Sequence, residues 1–353
     1  MGLNYIIKLM RATMRKYIYI LFVLIILSNC VTDKESPYEF SKVENISFNK
    51  IDYPDTLGVT LQLLKRDNLL IINDFYGDFF VSLFDLENKE IENRIIAKGN
   101  GPNELSSPLD LQFYGESLYV LSRPLFSLNH MEWDIIKNGS PVLYKDFQLP
   151  SKSDRFVVLN DSLFVFSGLW DKRYGYLNIK DTNDIREFGE YPHYWQEENN
   201  LSNEVKAMFH QCKFAKHPDK YMFASCSGYV FEIFSYDPVN NSLPNLIFRK
   251  QLGKYSYTYT DGNILRTKAD EGSDPKVIDI ACSEHYVYII TQSKEDKKKR
   301  NIMVLDWDGN PIKLLKSDKC IVCLVVDEDL GVGYCIIQDP EDTLVSFDLN
   351  SDY

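Results

Sequence analysis

The chain has 353 residues, 39 of them basic and 51 acidic, for a formal charge of −12. Nucleic-acid binding leans on a basic footprint that neutralises phosphates, so no nucleic-acid partner is expected. The same balance excludes attachment to anionic lipid by charge alone.

The first thirty residues differ from everything after them. Arg15 and Lys16 form a short basic start, Tyr17 to Leu27 is an unbroken apolar run, and it ends in Leu27-Ser28-Asn29-Cys30. A basic region, an apolar run of this length and a small-residue exit describe a secretory signal, whereas a spanning helix needs about 20 apolar residues. The exit resembles the lipobox of bacterial lipoproteins, from which Asn29 departs. The resemblance implies that Cys30 is acylated and becomes the mature N-terminus; an uncleaved anchor is the alternative. Removal of residues 1–29 takes away Lys8, Arg11, Arg15 and Lys16 and no acid, which leaves 35 basic residues against 51 acidic, a charge of −16. Residues 1–29 thus read as signal, 30–38 as a lipid-bearing linker and 39–353 as one domain.

One unit then recurs six times: an apolar strand, a tight polar turn and a second apolar strand. The copies span residues 59–74, 109–123, 155–168, 212–226, 277–291 and 322–336. Their turns fall near residues 67, 116, 160, 219, 284 and 328, a spacing of 44 to 65. Propeller blades repeat at about 40 to 50 residues, and insertions account for the longer intervals. A second strand pair follows several copies, as where NIMVLDWD turns at Gly309-Asn310 into PIKLLKSD. Such turn residues tolerate the positive φ that hairpins require. The fold class is therefore all-β: a six-bladed β-propeller with four-stranded blades. The last unit lacks an outer strand, and the alternating segment 40–51 is expected to supply it beside residues near 343–349, closing the ring and covering exposed edges.

Between the first two units lies Lys98-Gly99-Asn100-Gly101-Pro102-Asn103-Glu104. It resembles the K-G-x-G-P-x-E signature of the TolB-like six-bladed propeller lipoproteins of Bacteroidetes type. With blade count and lipobox, the likeness covers nearly the whole mature chain. It implies a lipid-anchored propeller and says little about activity. As a phosphate-binding loop the segment is poor, because Pro102 lacks a donor, Glu104 repels anions and a strand follows; a blade-to-blade connection fits better.

Other motifs favour plain structural readings. Asp306-Trp307-Asp308-Gly309-Asn310 opens like a calcium loop, but Ser317 stands where a carboxylate ligand is needed, so a hairpin turn is expected. The histidines show no paired metal spacing, and no Gly-x-Ser-x-Gly elbow exists. Cys320 and Cys323 form a CxxC inside a strand-like run, without a second pair at zinc spacing. Cys212 with Cys226, and Cys323 with Cys335, lie symmetrically about their turns. This register would make each pair direct cross-strand neighbours, either bridged or free and buried. No catalytic residues, metal ligands or cofactor are expected.

Binding residues are sought by position. If the repeated hairpins are the inner strand pairs, the connections leaving each second strand share one face of the disc. These carry Tyr76, Arg123, Trp170 and Arg173, and the insert with Tyr194 and Trp195 should reach the same side. Aromatic and arginine side chains are the usual anchors of recognition surfaces. The expected function is a non-catalytic envelope protein, periplasmic or on an outer-membrane surface. It is held to the membrane by its N-terminal lipid and binds a small ligand, glycan, peptide or protein through this face. The alternative is a lyase or hydrolase acting on glycans or peptides with a metal in the central channel, for which the inner-strand candidates Gln62, Gln112 and Asp279 are too mixed to make a metal set.

Overall fold

A computed structural model describes residues 38–349, apart from 124, 140, 150–152, 182–183, 193–200, 253–254, 261–262, 270–275, 294–295 and 297. All six inner hairpins form where the repeat places them: Thr60–Arg66 with Leu69–Asp74, Ser107–Tyr114 with Ser117–Arg123, Ser153–Val158 with Leu163–Gly168, Lys213–Lys216 with Met222–Ser227, Val277–Cys282 with Tyr286–Gln292, and Cys320–Asp327 with Val332–Gln338. Each continues outward into further antiparallel strands, giving sheets of four or five strands. The first strands of successive blades lie against one another, and the sixth meets the first, so the ring is closed around an axis. The fold is a six-bladed β-propeller.

The core is divided among the blade interfaces because strand side chains alternate between two faces. In blade one, Ile71 packs toward blade two with Leu111 and Val120, while Ile72 packs toward blade six with Ile336 and Leu344. In blade three, Phe164 joins Leu121 and Leu128, and Val165 joins Phe214 and Phe223. The remaining layers lie between blades four and five and between five and six. Every blade is thus buried on both faces, which explains why its strands read as continuous apolar runs.

The N-terminal segment closes the ring. Asn49 and Lys50 pair antiparallel with Ser346 and Val345, giving blade six its fourth strand. An additional pairing precedes it: Val43–Asn45 lies parallel to Leu314–Lys316 on the outer edge of blade five. One segment therefore covers the outer edges of two blades. The two long intervals hold a helix at Asn203–Phe209 and an extra hairpin, Tyr255–Thr260 with Asn263–Ala269.

The cysteine register differs from expectation by one residue. Cys226 lies opposite Lys213, and Cys335 opposite Leu324. A one-residue shift sends partners to opposite sheet faces, and each pair is divided between two core layers: Cys212 and Cys226 flank blade four, and Cys323 and Cys335 flank blade six. In both hairpins the register running out from the turn is unbroken as far as the cysteines, so it is the turn that sets the offset. All six cysteines of the described residues are free.

Candidate functional site

The connection motif is a built turn. The Glu104 carboxylate accepts the Gly101 N–H at 2.8 Å and lies where a Cβ on Gly99 would be, at 1.9 Å. Lys98 donates to the Phe75 carbonyl at 2.6 Å and lies over the Phe75 and Phe80 rings. Glu104 and Leu105 then pair parallel to Ala97 and Lys98 as a fifth strand of blade one. The calcium-like segment is a hairpin turn, as expected: Asp306 accepts the Asp308 and Asn310 amides, and Gly309 has φ of 79°. His217 is buried, and its Nδ1 accepts the Asp219 and Lys220 amides. Among the described residues, no group of three or more His, Cys, Asp or Glu could hold a metal.

The loops after the second strands do share one face, because the strands of each blade alternate in direction. Tyr76 is 61% exposed there, in a loop organised by Asp74, whose carboxylate accepts the Gly58, Val59 and Tyr76 amides. Val59, Phe75 and Phe79 are exposed beside it, and Leu125 is exposed on the same face of blade two. Arg123 is partly exposed and ion-paired with Asp154.

Trp170 and Arg173 turn inward instead. Trp170 covers Gly175, where an added Cβ would meet its ring at 2.5 Å. Arg173 pairs with Glu232 across the interface of blades three and four, at 3.0 Å and with no exposure of either side chain. Arg249 reaches the same carboxylate at 2.6 Å, and the Tyr174 hydroxyl donates to it at 2.6 Å. Burial alone would raise the Glu232 carboxyl, but Arg173 and Arg249 together outweigh it and hold the group ionised. Tyr194 and Trp195 lie outside the described residues.

A second polar site occupies the axis. A cavity of about 200 Å³ is lined by residues from the first strands of all six blades. Five of the six inner hairpins carry a β-bulge at the same level, after Thr60, Pro108, Ser153, Val277 and Ile321. Bulges re-aim the side chain that follows. The equivalent positions are Gln62, Asp110, Arg155, Lys213, Asp279 and Cys323. Two cations on adjacent blades are therefore flanked by a carboxylate on either side.

Several of these groups tie blade to blade. Gln62 exchanges two hydrogen bonds with the Leu111 backbone, each 2.9 Å. Gln112 donates to the Phe156 carbonyl at 2.6 Å, and Asp110 Oδ2 accepts the Phe156 amide at 3.0 Å. Lys213 pairs with Asp279 at 2.8 Å. Burial pushes the Asp110 carboxyl up to about 6, although Arg155, the Phe156 amide and Lys213 act against the rise. Sequence reading reached Gln62, Gln112 and Asp279 but missed Asp110, Arg155 and Lys213. Lining up the six copies on their turns, with allowance for the bulge, would have found them.

This combination of a closed six-bladed ring, a loop face and a charged axial cavity defines a propeller of the TolB-like kind. A family model described as TolB-like six-blade propeller-like matches residues 50–329, and the chain belongs to that family. No curated protein matches it in sequence. Among solved structures it is similar to a protein of Bacteroides fragilis described as exported, with 10% identity, a TM-score of 0.56, and 90% of this chain covered against 98% of that one. Chaetomium thermophilum Raptor (10% identity, TM-score 0.49, 87% of this chain and 29% of that) and the Cps50 (Swd1) propeller of Myceliophteria thermophila (9%, 0.48, 85% and 99%) are more distant in shape.

Proposed function

We propose that this propeller is a recognition module of a bacterial cell envelope, tethered by a lipid on Cys30, which binds its partner through the loop face without transforming it. The observation that carries this reading is the cluster of Val59, Phe75, Tyr76 and Phe79, exposed together on one loop pair of blade one, on the same face as Arg123 and Leu125 of blade two. Single exposed apolar residues are ordinary, whereas contiguous ones mark contact surfaces. The place where the described chain begins supports it. The Tyr38 hydroxyl donates to the Gly309 carbonyl at 3.1 Å, in a turn at the end of blade five opposite the loop face. Cys30 precedes Tyr38 by eight residues, so the chain enters the propeller on the face opposite the loops.

The test is binding of the mature chain to arrays of glycans and of peptides, beside the variant Tyr76→Ala. The expected result is a bound class whose affinity falls at least about tenfold in the variant while Tm is kept. No binding to either array, or binding that survives the variant, contradicts the reading. A second reading, a lyase or hydrolase working at the axis, draws on the raised carboxyl of Asp110 beside Arg155. It requires turnover of a glycan or peptide that disappears in Asp110→Asn.

A further inference from the structure

We propose that the axial cavity is a second binding site, for a small organic carboxylate that carries hydroxyl or amino groups of its own. Arg155 would hold the carboxylate, and Asp110 would accept from the donors.

The argument starts from what the ring of charged side chains leaves unspent. Lys213 and Asp279 satisfy each other at 2.8 Å. Arg155 does not share in this. Its Nη1 donates to the Asp154 backbone carbonyl at 2.7 Å, and among the described residues no carboxylate lies within 4 Å of the guanidinium. Among the described residues, Nε and Nη2 have no partner. On the neighbouring blade, Asp110 uses Oδ2 for the Phe156 amide, and no described residue donates to its Oδ1. A cationic fork and a carboxylate oxygen therefore line the same cavity, neither paired with the other. Both are open to the cavity and so available to a ligand.

Charge and size narrow the ligand. Lys216, nearer the hairpin turns, also lines the cavity, with its Nζ donating to the His217 carbonyl at 3.3 Å and lying over the Tyr114 ring, so three cationic side chains stand against two carboxylates there. In a chain of charge −12 this is a local reversal of sign, and it favours an anion. A planar guanidinium matches a carboxylate with two parallel hydrogen bonds. A volume of about 200 Å³ suits a molecule the size of an amino acid or a monosaccharide and excludes a polymer. Leu61, Phe214 and Ile280 give the cavity apolar wall between the polar groups, the usual make-up of a small-molecule pocket.

The experiment is calorimetry and thermal unfolding of the mature protein with D-glucuronate, L-lactate and L-glutamate, and with D-glucose as the uncharged control. At least one carboxylate at about 10 mM is expected to bind one-to-one and raise Tm, with no effect of glucose. Arg155→Gln should weaken that binding at least about tenfold, and Arg155→Lys should restore part of it. If Arg155→Gln does not fold, labelling of the wild-type protein with phenylglyoxal replaces it: the bound carboxylate should slow modification of Arg155, read by mass spectrometry. Failure of all three acids to bind, equal binding of glucose, or unchanged affinity or labelling at Arg155 overturns the proposal. Tyr76 is not among the residues that line the cavity, so Tyr76→Ala should keep carboxylate binding, and either reading can fail without the other.

Discussion

Individual side chains at the axis and at the blade interfaces carry opposite electrostatic costs. Asp110 is buried, and its carboxyl is raised to about 6 from an ordinary 3.8. Between those values the folded chain holds a proton that the unfolded chain has lost, so stability falls as pH rises through the window of about 4 to 6. Asp110→Asn keeps an acceptor for the Phe156 amide and removes the charge. It should stabilise the ligand-free protein at pH 7 by roughly 1–3 kcal/mol and leave stability near pH 4 unchanged, read from urea unfolding at both pH values. Equal or lower stability of the variant at pH 7 would contradict the assignment. Glu232 behaves in the opposite way, because it neutralises two arginines in the interior. Glu232→Gln leaves the Arg173 guanidinium buried and uncompensated, for an expected loss of about 3–5 kcal/mol in the same assay. Arg173 also shows where sequence reading stops. An arginine beside Trp170 in a loop has the composition of a binding anchor, and nothing local reveals that a carboxylate 59 positions on will draw it into the interior.

Among the elements, the inner hairpins were legible and their registers were not. Apolar strands flanking a turn identify each pair. A single bulge, which leaves no mark in composition, decides which residues face the axis and which face a neighbouring blade. One such bulge immediately precedes Arg155, which lines the cavity. The closing strand was legible in its pairing with residues 345–346, because blade six lacks a fourth strand of its own. Its earlier parallel pairing with blade five was not, since three residues of alternating pattern fit either edge. The closure can be tested at Ile51, whose N–H donates to the Leu344 carbonyl at 3.0 Å. Ile51→Pro removes that bond and should cost about 1–3 kcal/mol, seen as a lower urea midpoint. An unchanged midpoint would mean that the segment contributes nothing to closure.

For the molecule as a whole, self-similarity revealed the architecture because six blades repeat one physical solution: a hairpin buried on both faces by its neighbours. Function was less legible, since the loop face and the axial cavity are assembled from residues far apart in sequence. The proposed role joins them through placement of the propeller at an envelope on a lipid, a proposal that rests on the sequence of the segment ending at Cys30, outside the described residues. The direct measurement is metabolic labelling with a radioactive fatty acid and membrane fractionation of cells that produce the full-length chain or its Cys30→Ala variant. Label on the wild-type chain in the membrane fraction, with an unlabelled variant released from it, is the predicted result. Equal labelling and equal membrane retention of the two chains would contradict it.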